Sequence, residues 1–205
     1  MRILLLGATG RVGSDVLRLS VADHHDVTVL VRSPNKLEIK EGISIVDGNV
    51  LDQERLNQAT EGVDVVVSAL GTDKSTVLSE STPLIINAMK KNNVKRIVTV
   101  GTAGILRSRT EPSLFRYESS ESRRKTTRAA EEHRKMYEML TESGLDWTIV
   151  CPTYLPDGPA SGQYRTNEEF LPEDGREISV GDTAHFVYQE LKESNHLYKR
   201  VGLAY

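Results

Sequence analysis

Cysteine is almost missing: Cys151 is the single one in 205 residues. No disulfide can form within the chain, and a reducing compartment is expected. Long apolar runs are absent too; none approaches the roughly 18 residues of a membrane span. Neither sign of charge dominates, with 26 basic and 29 acidic side chains and a formal net charge of −3. That balance gives no overall pull toward nucleic acid or an anionic membrane. His, Cys and acidic residues show no metal-ligand spacing, no Ser-His-Asp arrangement can be read, and there is no internal repeat or low-complexity tract. The chain opens directly on a strand-like run, which predicts no cleaved leader and a cytoplasmic location. Its length fits one domain, with room for a full sheet covered on both faces.

What is present begins at the first residue. Arg2 to Leu6 reads as a strand with four aliphatic residues in a row, as suits a parallel sheet buried on both sides. Gly7, Gly10 and Gly13 follow at spacing three, and then Val16, Leu17, Leu19 and Ser20 recur at roughly helical period. The glycines, with Thr9, Arg11 and Val12 between them, therefore occupy a strand-to-helix turn. Gly7 supplies backbone angles closed to other residues, Gly10 allows approach to a phosphate, and Gly13 allows close helix–strand packing. The unpaired N–H groups of the following helix suit a pyrophosphate. This context makes the triplet a dinucleotide site.

The second strand, Val27–Val31, ends in Arg32-Ser33-Pro34-Asn35-Lys36. An acidic residue there would bind the ribose hydroxyls of NAD, whereas a guanidinium suits the 2′-phosphate of NADP. Arg32 and Ser33, with Lys36 and Arg11 nearby, thus predict NADP(H) as cofactor. Ile43–Val46 is a third strand, with Asn49 and Val50 beyond it where an adenine would lie, and Asp52 a helix cap for Gln53–Thr60. A fourth strand, Val63–Val67, runs into Ala69-Leu70-Gly71, again beside the cofactor. Further elements are a helix from about Thr82 to Asn92, a strand Lys95–Val100, and a long surface segment 105–124. The basic run Arg123-Arg124-Lys125 with Arg128 reads as a solvated helix start. A helix then carries Ala129, His133, Met136, Tyr137 and Leu140 on one face. The sixth strand is Asp146–Cys151. Segment 152–178, which holds four of the seven prolines, is expected to form loops on the substrate side. A last helix, capped by Asp182, runs to about Lys192, and Arg200–Ala204 is expected at a sheet edge. Strand–helix alternation throughout predicts an α/β fold, a doubly wound parallel sheet of the Rossmann kind spanning 1–205.

Several blocks carry a resemblance: Gly7-Ala-Thr-Gly-Arg-Val-Gly13, Val31-Arg-Ser-Pro34, Val94-Lys-Arg-Ile-Val98, Ser143-Gly-Leu-Asp-Trp-Thr-Ile-Val-Cys-Pro152 and Gly181-Asp-Thr-Ala-His-Phe186. They resemble the atypical short-chain dehydrogenase/reductase family with NAD(P)-binding, NmrA-like domains. Within it, the chain is most similar to the biliverdin-IXβ reductase/flavin reductase group. The family's usual catalytic pair is a Tyr and a Lys on the helix before the sixth strand, and the matching positions here are Ala129 and His133. Tyr188 and Lys192 have the spacing but lie on the last helix. Thr102 matches a Ser of the biliverdin/flavin reductases, and Tyr154 stands where they have a His.

The resemblance therefore implies Thr102, Tyr154 and His133 as candidate catalytic residues. A structural reading stays open for Thr102, as a turn cap, and for His133, as a core histidine, while Tyr154 could stack on a flat substrate or donate a proton. Without the Tyr–Lys pair, hydride delivery to a conjugated acceptor is favoured over alcohol–ketone chemistry, since the charge spreads over a ring system and water can supply the proton. The expectation is an NADPH-dependent reductase of a flavin-like small molecule. The alternative is an NADP(H)-sensing regulator that binds a partner protein without turnover; a sugar-nucleotide epimerase has too little chain after Pro152.

Overall fold

The computed structural model describes residues 1–72, 75–122 and 126–205; the run Arg123–Lys125 lies outside them. Along the chain come β1 (Arg2–Leu6), α1 (Arg11–Ala22), β2 (Asp26–Val31), β3 (Ile43–Asp47), α2 (Gln53–Thr60), β4 (Val65–Ser68) and α3 (Val77–Lys91). They are followed by β5 (Arg96–Val100), α4 (Arg128–Glu142), β6 (Asp146–Pro152), β7 (Arg165–Glu168), α5 (Val180–Glu193) and β8 (Lys199–Ala204). One sheet holds the strands in the order β3-β2-β1-β4-β5-β6-β8-β7. All neighbours run parallel except β7, which pairs antiparallel with β8. This is an α/β Rossmann-like fold, and its order reverses between β1 and β4, where the chain crosses back.

Period-two alternation sorts the strand residues between two apolar layers. Ile3 and Leu5 face α1 and α5 with Val16, Leu17, Val187 and Leu191, whereas Leu4 and Leu6 face the other side with Leu56, Ile85, Met89, Met136 and Leu140. Each fully buried aliphatic side chain contributes about 2 kcal/mol. The two layers cover the two faces of the sheet.

Four expectations change. Arg200–Ala204 lies inside the sheet, between β6 and β7, and the edge is the polar strand β7. No apolar alternation marks Arg165–Glu168, so only its pairing with β8 makes it a strand. Segment 105–124 is not wholly superficial: Ile105 and Leu106 are fully buried. Arg200, itself buried, donates to the Ile105 carbonyl and to Glu169 and stacks on Phe115 and Tyr137, with 5.3 and 4.3 Å to the ring centroids. A buried guanidinium therefore draws that segment in. The cap of α5 is Ser179, whose hydroxyl accepts the Asp182 N–H at 3.0 Å. Asp182 itself turns back to hold the loop at Ser161 and Gly162, accepting both N–H groups at 2.8 Å. Finally, α3 starts at Val77, well before Thr82, and carries Pro83 inside it. Asp52 does cap α2, accepting from the N–H groups of Glu54 and Arg55.

Candidate functional site

The reversal between β1 and β4 opens a cavity of about 570 Å³ at the carboxyl ends of the strands. Gly7 and Ala69 bring its two sides together. Gly7 adopts φ +82°, and a Cβ there would lie 2.5 Å from the Ala69 carbonyl oxygen. The turn closes by Gly10 N–H donating to the Gly7 carbonyl at 2.9 Å. Helix α1 then begins with no side-chain cap and no acidic residue in its first turn. Its positive end thus faces the cavity with no acidic side chain of its own first turn against it. A cradle that any Cβ would fill, set against an uncapped helix start, fits a dinucleotide pyrophosphate.

Thr9, Gly10, Arg32, Asn49, Val50, Ala69, Leu70 and Gly71 share the lining with Gly7. Ser33 lies in an adjoining recess of about 330 Å³ with Thr9, Arg32 and Lys36. Three of the expected residues are elsewhere. Gly13 lies directly beneath Gly7, and Val12 is buried in the layer under α1. Arg11 reaches away across the carboxyl edge, donating to the Leu155 carbonyl at 3.0 Å and to Asp157 at 2.8 Å. The cavity also includes Ser75, Thr76, Val77 and Glu80 from the start of α3. The sequence offered no signal for these, because the helix seemed to begin after them.

A second cavity of about 560 Å³ lies past β5 and β6. Thr102 and Thr153 line it together with Arg116, Tyr117, Ala129 and Arg176. Thr102 caps the short turn Ala103–Ile105, accepting the Gly104 N–H at 3.4 Å. Arg116 and Tyr117 arrive from the segment that Arg200 draws inward. Tyr117 accepts a hydrogen bond from Arg134 at 3.2 Å.

His133 and Tyr154 are not among the lining of either cavity. Tyr154 is 61% exposed, while its backbone pairs with the segment at Glu177 and Ile178. His133 is buried between α4 and the sheet, and its Nδ1 has no hydrogen-bond partner. Burial pushes its pKa down to about 4, against a weaker opposing pull from Glu132. Its neighbour Glu132 is buried as well. Burial alone would raise that carboxyl, but Lys135 and the Ser79 hydroxyl and N–H outweigh it and hold it below the ordinary value. The Tyr188–Lys192 pair sits at the opposite end of the sheet. Tyr188 donates to Asp23 at 2.5 Å and contacts His25 Nε2 at 3.0 Å, beside the amino terminus. Its hydroxyl is pushed above its ordinary pKa by burial and by Asp23. Cys151 is fully buried, and burial pushes its thiol up to about 12. No group of metal-ligating side chains occurs among the described residues, and none of their helices is long and apolar enough to cross a membrane.

A family model described as NAD(P)H-binding matches residues 7–194. Among solved structures, a protein of Burkholderia pseudomallei, named provisionally as exported, superposes with a TM-score of 0.87 at 27% identity, both chains covered completely. SP1627 of Streptococcus pneumoniae, named provisionally as an NADH-flavin reductase, gives 0.85 at 25% identity, with 100% of this chain and 99% of that one covered. Among curated relatives, the photosystem II assembly factor Ycf39 of Synechocystis is 36% identical over 106 residues, 48% of this chain and 32% of its own. The chain thus spans about a third of that relative's length. Matched over nearly its whole length by the family model, with the glycine turn at the start of the match, the chain belongs to the NAD(P)H-binding family, among the atypical, NmrA-like short-chain dehydrogenase/reductases.

Proposed function

We propose that the protein is an NADPH-dependent reductase that delivers hydride to a flavin-like or other conjugated small-molecule acceptor, with the proton taken from solvent. The observation that carries this reading is the pairing of two cavities along one sheet edge with Ala129 and His133 at the positions of the missing Tyr–Lys pair. The nicotinamide, when bound, supplies the hydride. The chain's own task is to hold and orient.

The backbone of Gly7 and Gly10 and the α1 N-terminus would hold the pyrophosphate. Arg32, Ser33 and Lys36 would take the 2′-phosphate, and Asn49, Val50, Ala69, Leu70 and Gly71 would flank the adenosine. Thr102 and Thr153 offer hydroxyls to orient the acceptor in the second cavity. A protein acid is not needed where the acceptor delocalises the incoming charge. His133 supports that: outside the cavity and with its pKa held near 4, it is not the imidazolium that a general acid would need at neutral pH.

The test is NADPH oxidation by the purified protein with FMN, riboflavin and quinones. Turnover above background, with NADPH preferred over NADH, is expected. Binding of NADPH with no oxidation by any acceptor would overturn the reductase reading in favour of a dinucleotide sensor.

A further inference from the structure

The cofactor cavity is electrically polarised, and one end of it has no place in the reading above. Its cations, Arg32 and Lys36, stand after β2. Among the described residues that line it, Glu80 of α3 carries the one acidic side chain. Glu80 is held in place. Thr76 occupies the N-cap position of α3 yet makes no cap bond with its side chain; its hydroxyl donates to the Glu80 carboxylate instead. Capping hydroxyls ordinarily serve the helix N–H groups, so this one has been diverted to fix a carboxylate.

Asn49, on the same lining, is also committed. Its side-chain oxygen accepts the Leu51 N–H at 3.1 Å, which leaves its amide N–H groups as the donors it presents to a ligand. A donor suits a ring nitrogen of adenine. It does not suit the exocyclic amine, which needs an acceptor.

We infer that Glu80 is that acceptor: a specificity-determining residue that selects an amino-purine at the base end of the cofactor. This rests on the proposed cofactor site. A carboxylate accepting from an amine is the stronger, charge-assisted kind of hydrogen bond, and a carbonyl oxygen in the amine's place would face it lone pair to lone pair.

Calorimetric titration of the full chain with NADPH and with its hypoxanthine analogue, which has a carbonyl in place of the amine, tests the inference without any turnover. The native protein should hold NADPH at least about tenfold more tightly than the analogue, the worth of one hydrogen bond to a charged group. In Glu80→Ala that ratio should fall at least about fivefold, whereas the ratio of NADPH to NADH affinity stays as it was. Glu80→Gln keeps a carbonyl acceptor and should fall between. Equal affinities in the native protein, or an undiminished ratio in Glu80→Ala, would overturn the inference and leave the cofactor site intact. Failure to bind either dinucleotide would remove both.

Discussion

A Cβ built on Gly13 stands 2.1 Å from the carbonyl oxygen of Gly7, well inside any real contact. Both atoms belong to backbone, so neither can swing aside. Gly13→Ala would gain up to about 1 kcal/mol in helix propensity. The overlap outweighs that gain, because relieving it means moving α1 off β1. A net loss of about 1–3 kcal/mol is expected, seen as a drop of roughly 3–10 °C in melting temperature, together with weaker dinucleotide binding. An unchanged melting curve would show that the turn has slack.

Arg32→Ala should weaken NADPH by about 10- to 100-fold, the range for a hydrogen bond to a charged group, and leave NADH within a few-fold. Titration calorimetry of both cofactors checks it. An equal loss for the two would mean that the guanidinium does not meet the 2′-phosphate.

His133 sets a pH dependence whose sign follows from its burial. Its pKa is near 4 in the folded protein against 6.5 when unfolded. Between those values the unfolded chain binds the extra proton, so this residue's contribution to stability is intact above about pH 6.5 and declines as pH falls toward 4. The slope is up to about 1.4 kcal/mol per pH unit. His133→Leu should remove one proton's worth of that slope in denaturant titrations run across the window. If the variant shows the parent slope, the imidazole is not buried as described.

Glu190 is almost wholly buried, pairs with Arg96 at 2.8 Å and accepts from Thr148 at 3.0 Å and from the His196 N–H at 3.0 Å. Glu190→Ala strands a largely buried guanidinium and should cost about 3–5 kcal/mol. Chemical denaturation measures this directly, and a loss below about 1 kcal/mol would contradict the burial.

Cys151 should be inert to thiol reagents in the folded protein and should react fully in denaturant, because only the thiolate is nucleophilic and this thiol is buried with a raised pKa. A chromogenic disulfide reagent reads both states.

The cofactor half of the molecule was legible because its signals are local. A strand of four aliphatics, three glycines at spacing three, and Arg32 after β2 each stand beside the cavity in sequence order. The acceptor half was less legible because its parts meet through long-range contacts. Arg116 and Tyr117 reach the second cavity through contacts with residues far along the chain, among them Arg200 on Phe115 and Arg134 on Tyr117. Tyr154 follows the sixth strand as expected, yet its side chain is turned to solvent, since sequence order says nothing of side-chain direction at a strand end. A helix expected from about Thr82 omits the first turns of α3, Glu80 among them, because Pro83 stands inside that helix where tertiary packing carries it through.

That same proline divides one helix into two mechanical lengths. Pro83 has no N–H to give the Ser79 carbonyl, so the rod is weakest at that step. Beyond it, Ile85, Ile86 and Met89 are packed under the sheet; before it, Thr76 and Glu80 border the cavity. Both lengths are anchored all the same: before the proline, Leu78, Ser81 and Thr82 are buried and Ser79 donates to Glu132, so the cavity's border stays tied to the floor through side chains where the backbone bond is missing.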